Sequence, residues 1–207
     1  MNKIALITGA TSGIGQATAI KLAEAGYDLI ITGRRNDRLQ VLADELKERG
    51  IRVLTLNFDV RNRQEVRHAI ASLPEEWKYI DILVNNAGLA VGISPIQEGI
   101  VDDWERMIDT NVKGLLYVTR EITPLMIKNG HGHIVNLASI AGKEVYPGGN
   151  VYCATKHAVD ALSNAMRIDM LKHNIKVTNI APGMVETEFS LVRYKGDETA
   201  AKTCTMA

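Results

Sequence analysis

The apolar run Ile4-Ala5-Leu6-Ile7 passes directly into Thr8-Gly9-Ala10-Thr11-Ser12-Gly13-Ile14-Gly15, and a helix-forming stretch follows at once. Few sequence features restrict a fold more. The spacing predicts a buried strand that ends in a tight turn, and a helix that opens out of the turn. Glycine permits positive φ there and lets backbone N–H groups approach an anion, while the helix N-terminus supplies positive potential. The spacing is GxxxGxG and not the GxGxxG of the general dinucleotide fingerprint. Alone, such a turn could also serve only to join a strand to a helix.

The rest of the chain repeats the same alternation. Short apolar runs at Ile4–Ile7, Leu29–Thr32, Val53–Asn57, Ile82–Val84, His133–Leu137 and Val177–Ile180 read as strands. Their near-continuous apolar character predicts burial on both faces, as in a parallel sheet. Helical patterns fall between them at Gly13–Ala25, Asn36–Arg49, Arg63–Ser72, Val101–Lys128 and Val151–His173, with a kink expected at Pro124. The expected fold is α/β, a doubly wound parallel sheet of the Rossmann kind in a single domain spanning 1–207. Glu186 to Ala207 is polar and offers no further strand, closing on Thr203-Cys204-Thr205-Met206-Ala207.

Composition narrows the function classes. At 207 residues the chain can bury roughly 70–75% of its unfolded surface in one core. Lys plus Arg and Asp plus Glu balance at 24 each, which leaves no electrostatic footprint for nucleic acid. Two cysteines and five scattered histidines suggest neither a disulfide scaffold nor a metal site. The opening apolar run is too short for a signal peptide, and no stretch approaches a membrane span, so a cytoplasmic protein is expected.

Tyr152 and Lys156 stand four residues apart in a helical pattern and so share a face. An ammonium about 4 Å from a phenol is worth roughly 4 kcal/mol at an effective dielectric near 20. That could lower the phenol by about three pKa units, towards neutrality, although desolvation opposes it. Such a pair suits proton transfer at an alcohol or carbonyl oxygen.

Taken in order, Thr8–Gly15, Asn85-Asn86-Ala87-Gly88, Ser139 after the fifth strand, Tyr152-Cys153-Ala154-Thr155-Lys156 and Pro182-Gly183 resemble the short-chain dehydrogenase/reductase superfamily, over essentially residues 3 to 190. The resemblance implies that Gly9, Thr11, Ser12, Gly13, Ile14 and Gly15 cradle a pyrophosphate, and that Asn86, Ala87 and Gly88 close over the cofactor. Pro182 and Gly183 would begin a nicotinamide and substrate loop that also brings Val185 and Thr187 to the cofactor. Tyr152 would exchange the proton, and Lys156 would lower its pKa and bond the nicotinamide ribose. Ser139 would orient the substrate oxygen, and Asn111 would support a water relay to the lysine. Asp59-Val60 would flank the adenine, although Asp59 could instead cap the following helix.

Gly33 stands where relatives that prefer NAD carry an acid, and Arg34 and Arg35 follow. Guanidinium groups partner a 2′-phosphate well, and an arginine at a helix N-terminus gains nothing from the macrodipole. NADP is therefore the expected cofactor, with NAD the lesser alternative.

Closer in, Ala71–Trp77, Tyr146–Tyr152, and Thr187–Ser190 with the stretch to Asp197 resemble the NADP-dependent 3-hydroxy acid dehydrogenases that act on L-allo-threonine and L-serine. The substrate is then a small 3-hydroxy acid, contacted by Ser139, Tyr146 and Arg193, the last as carboxylate partner. A 3-oxoacyl carrier-protein reductase or a broad carbonyl reductase is the alternative. Relatives run longer, so the loop region of about 183–207 and a final strand look incomplete. This raises the further alternative of an NADP-binding protein without useful turnover. The resemblance also implies a homotetramer, or a dimer if the shortening is real.

Overall fold

The computed structural model describes residues 2–199, so the last residues of the polar ending lie outside the described region. Six parallel strands form one sheet: β1 (Ile4–Ile7), β2 (Asp28–Gly33), β3 (Val53–Asn57), β4 (Ile80–Asn85), β5 (Gly132–Leu137) and β6 (Ile175–Ile180). Their order is β3-β2-β1-β4-β5-β6. The helices between them are α1 (Gly13–Glu24), α2 (Asn36–Lys47), α3 (Arg63–Ala71), α4 (Val101–Ile108), α5 (Leu115–Asn129) and α6 (Asn150–Met170). A short α7 (Glu188–Arg193) follows β6, within the polar stretch whose sequence predicts no further strand.

Successive side chains of a strand point to opposite faces, and the two cores divide accordingly. Ile4 and Leu6 of β1 enter one core with Ile30, Leu83, Ile122 and Met126. Ala5 and Ile7 enter the other with Leu29, Ile31, Leu39 and Leu46. Burial on both faces holds for β1 and β2. It fails for β6, where Ile175 and Val177 are buried while Lys176 and Thr178 are exposed. An edge strand has one neighbour, and only one face of β6 is packed among the described residues.

The helix break expected at Pro124 lies upstream of it. Helix α5 runs through Pro124, and the irregularity is a π-helical turn at Asp109–Gly114. Gly114 sits against the Val60 side chain, where a Cβ would approach Val60 Cγ2 to 2.8 Å. π-turns recur at functional sites because they re-aim side chains that a regular helix would line up. Here the turn carries Asn111 into the interior. The order reverses between β1 and β4, and ligands of such sheets bind beyond the strand ends at that point.

Candidate active site

At the β1 end of that crevice, each glycine has a visible reason. Gly9 has φ +66° and Gly13 φ +54°. A Cβ on Gly9 would lie 2.9 Å from Ala87 Cα, and one on Gly15 only 2.3 Å from the Gly9 carbonyl. Asn86 staples the turn from β4, donating through Nδ2 to the carbonyls of Thr8 (2.9 Å) and Gly9 (3.0 Å). Ala87 donates its backbone N–H to Thr8 Oγ1 at 3.0 Å. Ser12 stands at the N-cap of α1, yet its side chain caps nothing. Its hydroxyl accepts from Arg35 instead, at 2.9 Å. With no acid in the first turn of α1, its N–H groups and Ile14 present a positive, narrow cradle.

Gly33 closes β2 against Thr11, and a Cβ there would come within 2.7 Å of Thr11 Cγ2. An acid at this position would force the Thr11 side chain aside. Arg35 reaches back over the turn to Thr11 Oγ1 (3.1 Å), whereas Arg34 points outward to a loose pairing with Asp59 at 3.8 Å. The two arginines are thus not equivalent, a distinction their adjacency in sequence concealed. Asp59 does not cap α3, because Asn62 does so by accepting from Gln64 and Glu65. Burial pushes the Asp59 carboxyl up, but the hydrogen bonds from Arg61 outweigh this and hold it below the usual range. Val60 is buried against Gly114.

Across the crevice, α6 supplies Tyr152 and Lys156, both buried. Lys156 Nζ donates to the Leu137 carbonyl at 2.7 Å and lies 5.9 Å from the Tyr152 ring centroid. Burial depresses the lysine to about 8. Tyr152 moves the other way from the sequence expectation. Its burial raises the phenol above the ordinary value, and the groups that pull it down are the Ser139 hydroxyl and the Arg193 guanidinium. Desolvation wins because the ring is enclosed while the ammonium is turned to Leu137.

Ser139 follows β5, and its hydroxyl also accepts from Ala141 N at 3.1 Å. Asn111 is more committed than expected. Its Oδ1 accepts from Leu89 N (2.8 Å), and its Nδ2 donates to the Leu89 carbonyl (2.8 Å) and to Thr155 Oγ1 (3.0 Å). Both amide hydrogens are engaged, which leaves one carbonyl lone pair. That oxygen and Lys156 Nζ flank Gly88, at 3.3 and 3.5 Å from where its Cβ would stand.

The segment 183–197 lies over the crevice as a strap. Pro182 opens it by accepting from Ile140 N at 3.0 Å. Gly183 is exposed, with open space within 4 Å of where a Cβ would stand, and Val185 is about half exposed. Thr187 caps α7, and its side chain packs against Gly13. Phe189 tilts against Tyr152 with ring centroids 5.9 Å apart. Arg193 donates to the Tyr146 hydroxyl at 2.7 Å, and its Cζ lies 5.7 Å from the Tyr152 ring centroid. Burial pushes the Tyr146 phenol up to about 12. Lys195 pairs with buried Asp103 at 2.6 Å. Sequence reasoning missed Arg38 and Glu188, which join across the site, and Thr155 and Leu89, which fix Asn111.

Fold, turn and Tyr-Lys helix together define a nicotinamide-dependent oxidoreductase of the short-chain class. Residues 3–197 match the family described as short chain dehydrogenase, and the chain belongs to it. It is 52% identical over 202 residues to the NADP-dependent 3-hydroxy acid dehydrogenase YdfG of Salmonella typhi, covering 97% of this chain and 80% of the relative. It is 49% identical to sulfoacetaldehyde reductase 2 of Chromohalobacter salexigens, with the same coverage. Among solved structures, the closed form of serine dehydrogenase complexed with NADP+ superposes with a TM-score of 0.93 at 49% identity. That match covers 97% of this chain and 80% of the other.

Proposed function

We propose that this chain is an NADP-dependent oxidoreductase that transfers hydride at the hydroxyl-bearing carbon of a small 3-hydroxy acid, of the serine or allo-threonine kind. The observation that carries the substrate class is Arg193. Its Cζ lies 5.7 Å from the Tyr152 ring centroid, its charge pulls the phenol's pKa down, and its buried Nε has no partner among the described residues. A guanidinium with a spare donor beside the reacting oxygen suits a substrate carboxylate. Next to Tyr152 is a cavity of about 250 Å³, lined by Val91, Trp104, Met107 and Asn150 and by the paired Asp103 and Lys195, which has room for a small substrate. The NADP-dependent relatives and the serine dehydrogenase complex support the same reading.

The residues present fit NADP. Gly9, Gly13 and Gly15 keep the phosphate turn free of side chains, and Gly33 puts no acid at the ribose. Arg35, poised over the turn, offers a guanidinium to a 2′-phosphate. When bound, the nicotinamide supplies or takes the hydride at its C4.

The chain's own residues handle the proton. With its pKa raised by burial, Tyr152 is protonated at neutral pH and gives its phenolic proton to a carbonyl oxygen during reduction. Donation leaves a phenolate that Ser139 and Arg193 stabilise, and in the oxidative direction that phenolate takes the alcohol proton and returns to the phenol. Ser139 hydrogen-bonds the same substrate oxygen. Lys156, charged at neutral pH, holds the ribose and adds positive potential, while Asn111 lends its free lone pair to a water beside the lysine.

The same reading places the chain in the cytoplasm as a homo-oligomer, a tetramer or a dimer. Exposed Val101, Ile108, Leu116 and Ile127 on α4 and α5, and Ile168 on α6, support an interface there. Absorbance of the reduced cofactor tests the function directly. L-allo-threonine or L-serine should reduce NADP well above NAD, whereas preferential turnover of an acetoacetyl thioester would transfer the chain to the 3-oxoacyl reductases.

A further inference from the structure

The anchor of the strap farthest from Tyr152 plays no part in that chemistry. Glu188, 153 residues from Arg35 in sequence, meets it across the mouth of the cofactor crevice. Its Oε1 accepts from Arg38 Nη1 at 2.7 Å, and its Oε2 accepts from Arg38 Nη1 at 2.9 Å and from Arg35 Nη1 at 3.1 Å. The opposite edge of the same Arg35 guanidinium donates to Thr11 and Ser12 of the phosphate turn. Arg35 is therefore clasped between the turn and a carboxylate. The hydrogen bonds from Arg38 and Arg35 hold the Glu188 carboxyl below its usual range, so it is an anion at neutral pH.

A carboxylate and a phosphate monoester ask the same of an arginine, namely paired oxygens carrying negative charge. Resting on the reading that Arg35 receives the 2′-phosphate, we infer that Glu188 is a determinant of cofactor choice: its carboxylate occupies the arginine pair that the 2′-phosphate needs, and the phosphate must displace it. A cofactor with a plain 2′-hydroxyl leaves the clasp intact and meets no competition. Glu188 therefore reduces the preference for NADP below what the arginines alone would give. It also links cofactor to strap. While Glu188 stays on the arginines, Thr187 stays seated against Gly13. Once the arginines turn to phosphate, the strap loses this anchor and is held through Arg193 and Lys195 at its other end.

Calorimetric titration of the full chain with 2′,5′-ADP and with 5′-ADP reads this site without turnover. In Glu188→Gln, the affinity for 2′,5′-ADP should tighten about three- to tenfold, the size expected for two half-exposed ion pairs, while that for 5′-ADP moves less than about twofold. Glu188→Ser, which removes the seat altogether, should change the ratio in the same direction. A ratio that is unchanged or falls in both variants overturns the inference, because the carboxylate would then be neutral towards the phosphate or help to hold it. Equal affinity of the unaltered chain for the two nucleotides would instead remove the reading of Arg35 itself.

Discussion

The two sides of the crevice are held by different kinds of interaction. The phosphate turn is fixed by backbone approach and short buried contacts: Gly15 lies against the Gly9 carbonyl, and Asn86 and Thr8 lock β4 to β1. The strap is held by side-chain pairs that each have an exposed or half-buried end: Glu188 to two arginines, Arg193 to Tyr146, and Lys195 to buried Asp103. Close-packed backbone tolerates almost no change, while ion pairs at a surface contribute little each and exchange partners readily. One side can therefore serve as a fixed frame for the cofactor, and the other can admit substrate and still bring a cation to it.

Substitutions at both sides test that division, the largest effect first. Tyr152→Phe removes the proposed proton donor, and turnover should fall about 10²- to 10⁴-fold while cofactor affinity holds. A matching loss of NADP binding, measured by calorimetry, would mean that the phenol is part of the cofactor seat.

Lys156 carries the next effect, on stability. Its folded pKa of about 8 lies below the ordinary 10.5, so the unfolded chain binds more protons between those values. Stability from this group must then rise with pH across that window, and the cost of burying the ammonium is fully present below about pH 8. Urea unfolding of the unaltered chain and of Lys156→Met, compared at about pH 7.5 and 10.5, should show the difference shifting by roughly 3 kcal/mol in favour of the unaltered chain at high pH. A constant difference would place the lysine in contact with water.

Arg193→Ala, on the strap, should raise KM for L-serine about 10- to 100-fold, the worth of a charge-assisted hydrogen bond, with NADP affinity little changed. A normal KM would return Arg193 to a role in packing on Tyr146. Smallest is Arg35→Ala, which should cut the preference for NADP over NAD about tenfold, as parallel titrations with the two cofactors would register. If Arg34→Ala matched it, the geometric distinction between the arginines would be lost.

The fixed frame was legible in sequence because its signals are local. A strand ending in Gly9, Gly13 and Gly15, or a tyrosine four residues before a lysine, is fixed by neighbours a few positions away. The alternation of apolar runs marked out the sheet, and the family resemblance supplied Ser139 and Asn111 as partners of the Tyr-Lys pair. What escaped depends on distance or enclosure. Nothing in the polar run after Gly183 marks Glu188 as the partner of Arg35 and Arg38, since a glutamate opening a helix turn is ordinary. The sign of the Tyr152 shift depends on how fully the ring is enclosed and on the lysine turning to Leu137, neither of which spacing reveals. Pro124 drew the expected break because proline is the visible helix breaker. The π-turn at Asp109–Gly114 instead accompanies contacts from Val60, Leu89 and Thr155, residues far from it in sequence.

The strand order has a consequence for how the molecule comes into being. β1 is an inner strand, paired with β2 on one side and with β4 on the other, where Ile4 meets Ile80. As the chain leaves the ribosome, β1, β2 and β3 can assemble early, with one flank of β1 unpaired until β4 emerges. β1 carries Ala5, Leu6 and Ile7 on its two faces, among the most deeply buried residues of the finished protein. Contacts so far apart in sequence form slowly, and an uncovered apolar strand invites association with other chains meanwhile. The nascent chain is therefore most at risk in the interval between its first and fourth strands.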